Sequence, residues 1–142
     1  MESVVQKTVR QMSFLTWDEY TLLVEELAEK IKNSGRGYKA LVGIPRGGLV
    51  LAVMISHILD IPLAYDSRVA GQNKEILVVD DIADSGSTCY EVAGKCGIDT
   101  AAVYKYVGCK VEPTYFARST VDWIVFPYER NGASDTVSKA LF

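Results

Sequence analysis

Asp80, Asp81 and Asp84 stand close together and run straight into Ser85-Gly86-Ser87-Thr88. The second half of this stretch suits a phosphate. Backbone N–H groups and hydroxyls of Ser85–Thr88 can point at an anion, and Gly86 lets the backbone come close. A helix starting there adds the positive end of its dipole. The first half suits something else, because Asp80 and Asp81 would repel a phosphate set beside them. Carboxylates accept hydrogen bonds from sugar hydroxyls, directly or through a magnesium ion. The loop 80–88 therefore reads as a sugar-phosphate grip, with the acids on a ribose ring and the turn on its 5′-phosphate. An acidic cap on an ordinary helix is the plainer alternative. Three acids followed by Ser-Gly-Ser-Thr after an apolar run weigh against it.

A second anion site is offered by Gly43-Ile44-Pro45-Arg46-Gly47-Gly48. Its glycines expose backbone N–H groups, and Arg46 supplies a charged fork matched to phosphate oxygens. Alone, this run also makes a plain tight turn.

Elements must hold these loops. Thr16-Trp17-Asp18-Glu19 reads as a capping box, with Thr16 as N-cap and Glu19 reaching back. The helix runs to about Asn33, with Leu22, Leu23, Leu27 and Ile31 on one face, and Gly35 and Gly37 stop it. Lys39–Ile44 is a buried strand, and Leu49–Leu59 an apolar helix. Pro62–Asp66 is a short strand, Ser67–Lys74 a polar loop and Glu75–Val79 a strand covered on both faces. The helix after Thr88 ends near Lys95-Cys96-Gly97, and Ala101–Val107 and Val121–Phe126 are further strands. Alternating strands and helices give an α/β class, a mostly parallel twisted sheet flanked by helices. Ligands in such folds bind beyond the carboxyl ends of the strands, which points at loops 45–48, 67–74 and 80–88.

The chain has 142 residues, 49% of them hydrophobic, enough for one domain whose core needs no disulfide. A formal net charge of −3 argues against a nucleic-acid partner. The longest apolar stretch, Leu49–Ile55, falls far short of the roughly 20 residues that span a bilayer. Met1–Ser13 lacks the apolar run of a signal peptide, so no membrane partner is expected. Cys89, Cys96 and Cys109 with one histidine, His57, do not make a zinc site, and reduced thiols in the cytoplasm are expected. A Cys89–His57 dyad is the nucleophilic alternative, but His57 lies mid-helix on an apolar segment.

The run from Leu77 to Thr88 resembles the signature of the type I phosphoribosyltransferases, which bind phosphoribosyl pyrophosphate (PRPP). Apolar residues, two acids, two apolar or small residues and Asp-Ser-Gly-Ser-Thr match it position by position. The 45–48 turn resembles the same family's pyrophosphate loop, which implies a strained, often cis, peptide near Pro45–Arg46–Gly47. Trp123-Ile124-Val125-Phe126-Pro127-Tyr128-Glu129 and Thr16-Trp17-Asp18 resemble the bacterial and archaeal 6-oxopurine enzymes.

The resemblance implies a Rossmann-like core at about 36–110 and a small hood from about 1–20 and 111–130. A tail at 131–142 completes a single domain over 1–142. It implies transfer of a 5-phosphoribosyl group from PRPP to guanine, xanthine or hypoxanthine, releasing pyrophosphate and yielding GMP, XMP or IMP in purine salvage. Asp80 and Asp81 would fix the ribose and, indirectly, Mg2+, with Glu129 a further metal ligand. Asp84 would stand near the base N7 as a proton-transfer group. Ala83, Ser85, Gly86, Ser87 and Thr88 would hold the 5′-phosphate and ribose. Arg46, Gly47, Gly48 and Arg68 would meet pyrophosphate. Trp123 would stack on the purine and the Ile124 backbone would meet its edge. Lys105 would donate to the 6-oxo group, which disfavours a 6-amino base. A homodimer or homotetramer is implied as well. Ser67–Lys74 is short and lacks the Ser-Tyr pair that the family's lid usually bears. That favours one alternative, a PRPP- or nucleotide-sensing regulator on the same fold. Another is a phosphoribosyltransferase for a different base.

Overall fold

The computed structural model describes residues 10–64, 74–85, 87–92 and 97–130. Arg68 and the rest of the 67–73 stretch, Gly86, Cys96 and the ends 1–9 and 131–142 lie outside the described residues, as do the side chains of Ser87 and Cys89. The elements in chain order are β1 (Met12–Phe14), α1 (Trp17–Asn33), β2 (Ala40–Gly43), α2 (Gly47–Leu59) and β3 (Ile76–Ala83). They continue with α3 (Ser87–Val92), β4 (Thr100–Tyr106), β5 (Tyr115–Thr120) and β6 (Trp123–Val125).

The main sheet has the order β2-β3-β4-β5, and each pair in it is parallel. β3 is central, and its alternating side chains feed two cores. Leu77 and Val79 pack with Leu51 and Ile55 of α2 and with Leu23, Leu27 and Ile31 of α1. Ile76 and Val78 pack on the other face with Val42, Ile44 and Ile98.

The capping box forms as expected. The Thr16 hydroxyl accepts from the Glu19 amide at 3.1 Å, and Glu19 accepts from the Thr16 amide at 2.9 Å. The helix face is Tyr20, Leu23, Val24, Leu27 and Ile31. Leu22 is 61% exposed, contrary to its expected place, because it lies off the stripe those residues trace. Thr16→Ala should cost about 1 kcal/mol of stability, read by urea denaturation. The Glu19 carboxyl is held below its ordinary value by the Thr16 amide. A depressed folded value gives stability that is present at neutral pH and lost as pH falls through it. The deficit of Glu19→Gln against wild type should therefore shrink on acidification.

Several boundaries differ from expectation. β1 carries no signal in the sequence, because three residues hold too little pattern. Val121–Phe126 is not one strand: the Asp122 amide turns back onto the Thr120 hydroxyl at 3.0 Å, and only Trp123–Val125 is extended in β6. β5 was missed because it is an edge strand burying one side chain, Ala117. It joins the main sheet, so 115–120 lies there and not in the hood. Of Pro62–Asp66, Leu63 makes an isolated parallel bridge to Leu41, and residues 65 and 66 lie outside the described residues. β1 and β6 form a separate parallel pair, Met12 beside Trp123.

Candidate active site

β3 runs four residues beyond its expected end at Val79, so Asp80 and Asp81 are strand residues and not loop residues. The ladder carries them, since Asp80 lies opposite Ala102 and Ile82 opposite Tyr104. Here backbone pairing overrides the low strand preference of aspartate.

Asp81 is packed against the start of α2. A Cβ placed on Gly47 would lie 1.9 Å from Asp81 Oδ2 and 2.9 Å from the Tyr128 hydroxyl oxygen. Only glycine admits this approach. Tyr128 donates to Asp81 Oδ2 at 2.9 Å, and the Ile82 amide donates to Asp81 Oδ1 at 2.8 Å. The Asp81 amide donates to Asp80 Oδ1 at 2.8 Å. Burial pushes the Asp81 carboxyl above its ordinary value, against the pull of these hydrogen bonds. Burial and the Asp81 charge also push the Tyr128 hydroxyl up, so it stays a donor.

The Pro45–Arg46 peptide is cis, and α2 begins at Gly47 and not at Leu49. The first turn of α2 rests on the end of β3. The Ile44 amide donates to the Val79 carbonyl at 2.9 Å, and a Cβ on Gly48 would lie 2.6 Å from that same oxygen. Glu129 accepts from the Phe126 amide at 2.8 Å. Burial raises its carboxyl, the Phe126 amide opposes this, Asp81 adds to it and Arg46 opposes it. Arg46, Gly47, Asp81, Tyr128 and Glu129 thus form one cluster. Beneath it, Phe126 and Tyr128 stack at 5.6 Å, and Tyr20 meets both edge-on.

The neighbouring positions divide into two groups. Ala83 is buried, while Asp84, Ser85 and Thr88 are exposed, and Ser87 opens α3. Asp84 pairs with Arg10 at 3.4 Å, and the Arg10 guanidinium lies 4.0 Å from the Tyr106 ring centre. The Ser85 carbonyl accepts from the Lys110 and Val111 amides, each at 3.2 Å. Across β4, Lys105 pairs with Glu112 and its ammonium lies 4.7 Å from the Phe116 ring centre. Trp123 is half-buried, its amide donating to the Gln11 carbonyl at 2.8 Å, and the Ile124 side chain is in the core. Arg68 and Gly86 lie outside the described residues. His57 is exposed on α2, and Cys109 is a free thiol.

Tyr128, Arg10 and Glu112 contact Asp81, Asp84 and Lys105, and none of the three is among the residues expected from the sequence to do so. Tyr128 lies inside the Trp123–Glu129 run, and its hydroxyl is the signal available there. Among the described residues, no three of His, Cys, Asp and Glu gather as a metal cage. A magnesium ion needs fewer protein ligands, since it keeps water and takes substrate oxygens. Both Asp81 oxygens already accept hydrogen bonds, so the oxygen-rich end of β3 suits an ion held mainly through its ligands.

No family model matches the chain. A xanthine-guanine phosphoribosyltransferase of Cereibacter sphaeroides is 30% identical over 81% of this chain and 85% of its own length. One from Nitratidesulfovibrio vulgaris is 29% identical over 84% of this chain and 86% of its own. The crystal structure of a purine phosphoribosyltransferase from Pyrococcus horikoshii superposes with a TM-score of 0.70 at 29% identity. It covers 88% of this chain and 99% of that one.

Proposed function

Since this chain belongs to the xanthine-guanine phosphoribosyltransferase family, we propose that it moves a 5-phosphoribosyl group from PRPP to a 6-oxopurine, releasing pyrophosphate. The observation that carries this reading is the closure of Gly47 onto Asp81 and Tyr128, which ties the pyrophosphate turn to the ribose acids.

In this reading Asp80 and Asp81 accept from the ribose hydroxyls and face the positive charge that develops on the sugar. Arg46 and the Gly47 and Gly48 backbone meet the leaving pyrophosphate, with Arg68 joining them. Ala83, Ser85, Gly86, Ser87 and Thr88 hold the 5′-phosphate end. Asp84 orients the base at N7 and handles its proton. Trp123 stacks on the base and the Ile124 backbone meets its edge. Magnesium, when bound, neutralises the leaving group. Asp80 and Asp81 would hold it through ribose and pyrophosphate oxygens. Glu129 would be a further ligand through the oxygen other than Oε1, which accepts from the Phe126 amide.

The same reading carries purine salvage in the cytoplasm and a homodimer or homotetramer. No described helix is long and apolar enough to cross a membrane.

The decisive assay supplies PRPP and magnesium with guanine, xanthine or hypoxanthine and looks for GMP, XMP or IMP. Product supports the reading. A protein that binds PRPP yet converts none of the three is a sensor, the reading favoured by its short Ser67–Lys74 segment. Lys105→Gln should raise KM for each accepted 6-oxopurine about 10- to 100-fold, the worth of one charged hydrogen bond. An unchanged KM removes Lys105 from base recognition.

A further inference from the structure

Glu112 stands on the 107–114 connection between β4 and β5, and its carboxylate pairs with the Lys105 ammonium. The Lys105 side chain is 13% exposed and the Glu112 side chain 60%. The pair therefore joins a largely enclosed cation to an anion at the rim.

A lysine ammonium has three donors and no acceptor, on a flexible four-carbon stem. Nothing in its own chemistry fixes where those donors point. Here two neighbours do. The Phe116 ring centre lies 4.7 Å from the ammonium, within cation–π reach, and Glu112 takes one donor. Donors remain for a neutral acceptor on a base, which does not have to displace the carboxylate.

Glu112 is itself held in place by its connection. The Val107 amide donates to the Thr120 carbonyl at 3.1 Å, and the Cys109 amide to the Tyr106 carbonyl at 3.0 Å. The Lys110 and Val111 amides both reach the Ser85 carbonyl at 3.2 Å, and the Thr100 amide reaches the Thr114 hydroxyl at 3.0 Å. A carboxylate on so tethered a segment can fix the direction of its partner.

We propose that Glu112 is a positioning residue for base selection. It holds the Lys105 ammonium where a carbonyl oxygen at C6 accepts from it, and so sets the preference for 6-oxo over 6-amino purines. This rests on the reading of Lys105 as the base reader.

The test compares wild type, Glu112→Ala, Glu112→Gln and Lys105→Gln in steady-state assays with guanine and 2,6-diaminopurine. Glu112→Ala should raise KM for guanine about tenfold while leaving kcat within twofold and KM for PRPP unchanged. Its preference for guanine over 2,6-diaminopurine should fall by the same factor. Glu112→Gln, which keeps an acceptor, should recover part of the loss. Because the pair is electrostatic and open at one end, added salt should raise the guanine KM of wild type and leave that of Glu112→Ala flat. Thermal melts and circular dichroism establish that each variant is folded. If Lys105→Gln loses guanine but Glu112→Ala does not, the positioning role is overturned and the base reader stands. If neither substitution moves the guanine KM, the base-reader reading fails and takes the inference with it.

Discussion

Gly47→Ala should lower kcat/KM about a hundredfold or more and cost about 1–3 kcal/mol of stability, as overpacking of a rigid site does. The added methyl would lie 1.9 Å from Asp81 Oδ2 and 2.5 Å from Asp81 Cγ. Such a clash is cheap only when the neighbour can swing away. Asp81 cannot, because Tyr128 holds one oxygen and the Ile82 amide the other. Either the carboxylate leaves its hydrogen bonds while buried, or the first turn of α2 lifts off β3. Both displace the 45–48 turn from Asp80 and Asp81 by about an ångström, which in the proposed site costs about two orders of magnitude in rate. Steady-state kinetics with urea denaturation separate loss of activity from loss of fold. Activity within threefold of wild type would show that the cluster yields, and the coupling of the start of α2 to the end of β3 would then be abandoned.

Asp84→Asn should lower kcat about 10²- to 10⁴-fold, the usual worth of a positioned proton-transfer group, with the fold intact. The side chain is 54% exposed and its partner, Arg10, is 40% exposed. An ion pair so open contributes little to stability, so the loss falls on chemistry. Arg10→Ala serves as the contrast, since it removes the partner and keeps the acid. Its activity should stay within severalfold of wild type. Pre-steady-state bursts locate the effect, because only a slowed chemical step removes a burst. A full-rate Asp84→Asn enzyme would remove Asp84 from proton transfer.

Features whose determinants are local are legible in the sequence. The capping box and the span of α1 are each written in a few adjacent residues, and each is found where expected. Leu22 shows the limit of that approach, since an apolar residue can lie beside the buried stripe and still face water. β5 was hidden because its place comes from its neighbour β4 and not from its own pattern. Asp80 and Asp81 read as loop residues because aspartate is a poor strand former, yet the ladder with β4 extends through them. Tyr128 and Arg10 depend on contacts between distant parts of the chain, and Glu112 on a turn that folds it back onto Lys105 at the end of β4. The glycines of the 45–48 turn were legible as permissive. What they admit, a carboxylate at one and a carbonyl at the other, is a fact of three dimensions.

The small parallel pair of β1 and β6 bears on the order in which this molecule assembles. The main sheet grows by adding strands that follow one another, but Met12 must find Trp123 across nearly the whole described chain. Closing so large a loop costs more entropy than pairing neighbouring strands, so this pair is expected to form after the main sheet. A two-stranded sheet is also the kind of unit that opens locally while a central sheet stays closed. A base that requires this pair to be zipped would tighten it by mass action, so occupancy and local rigidity rise together.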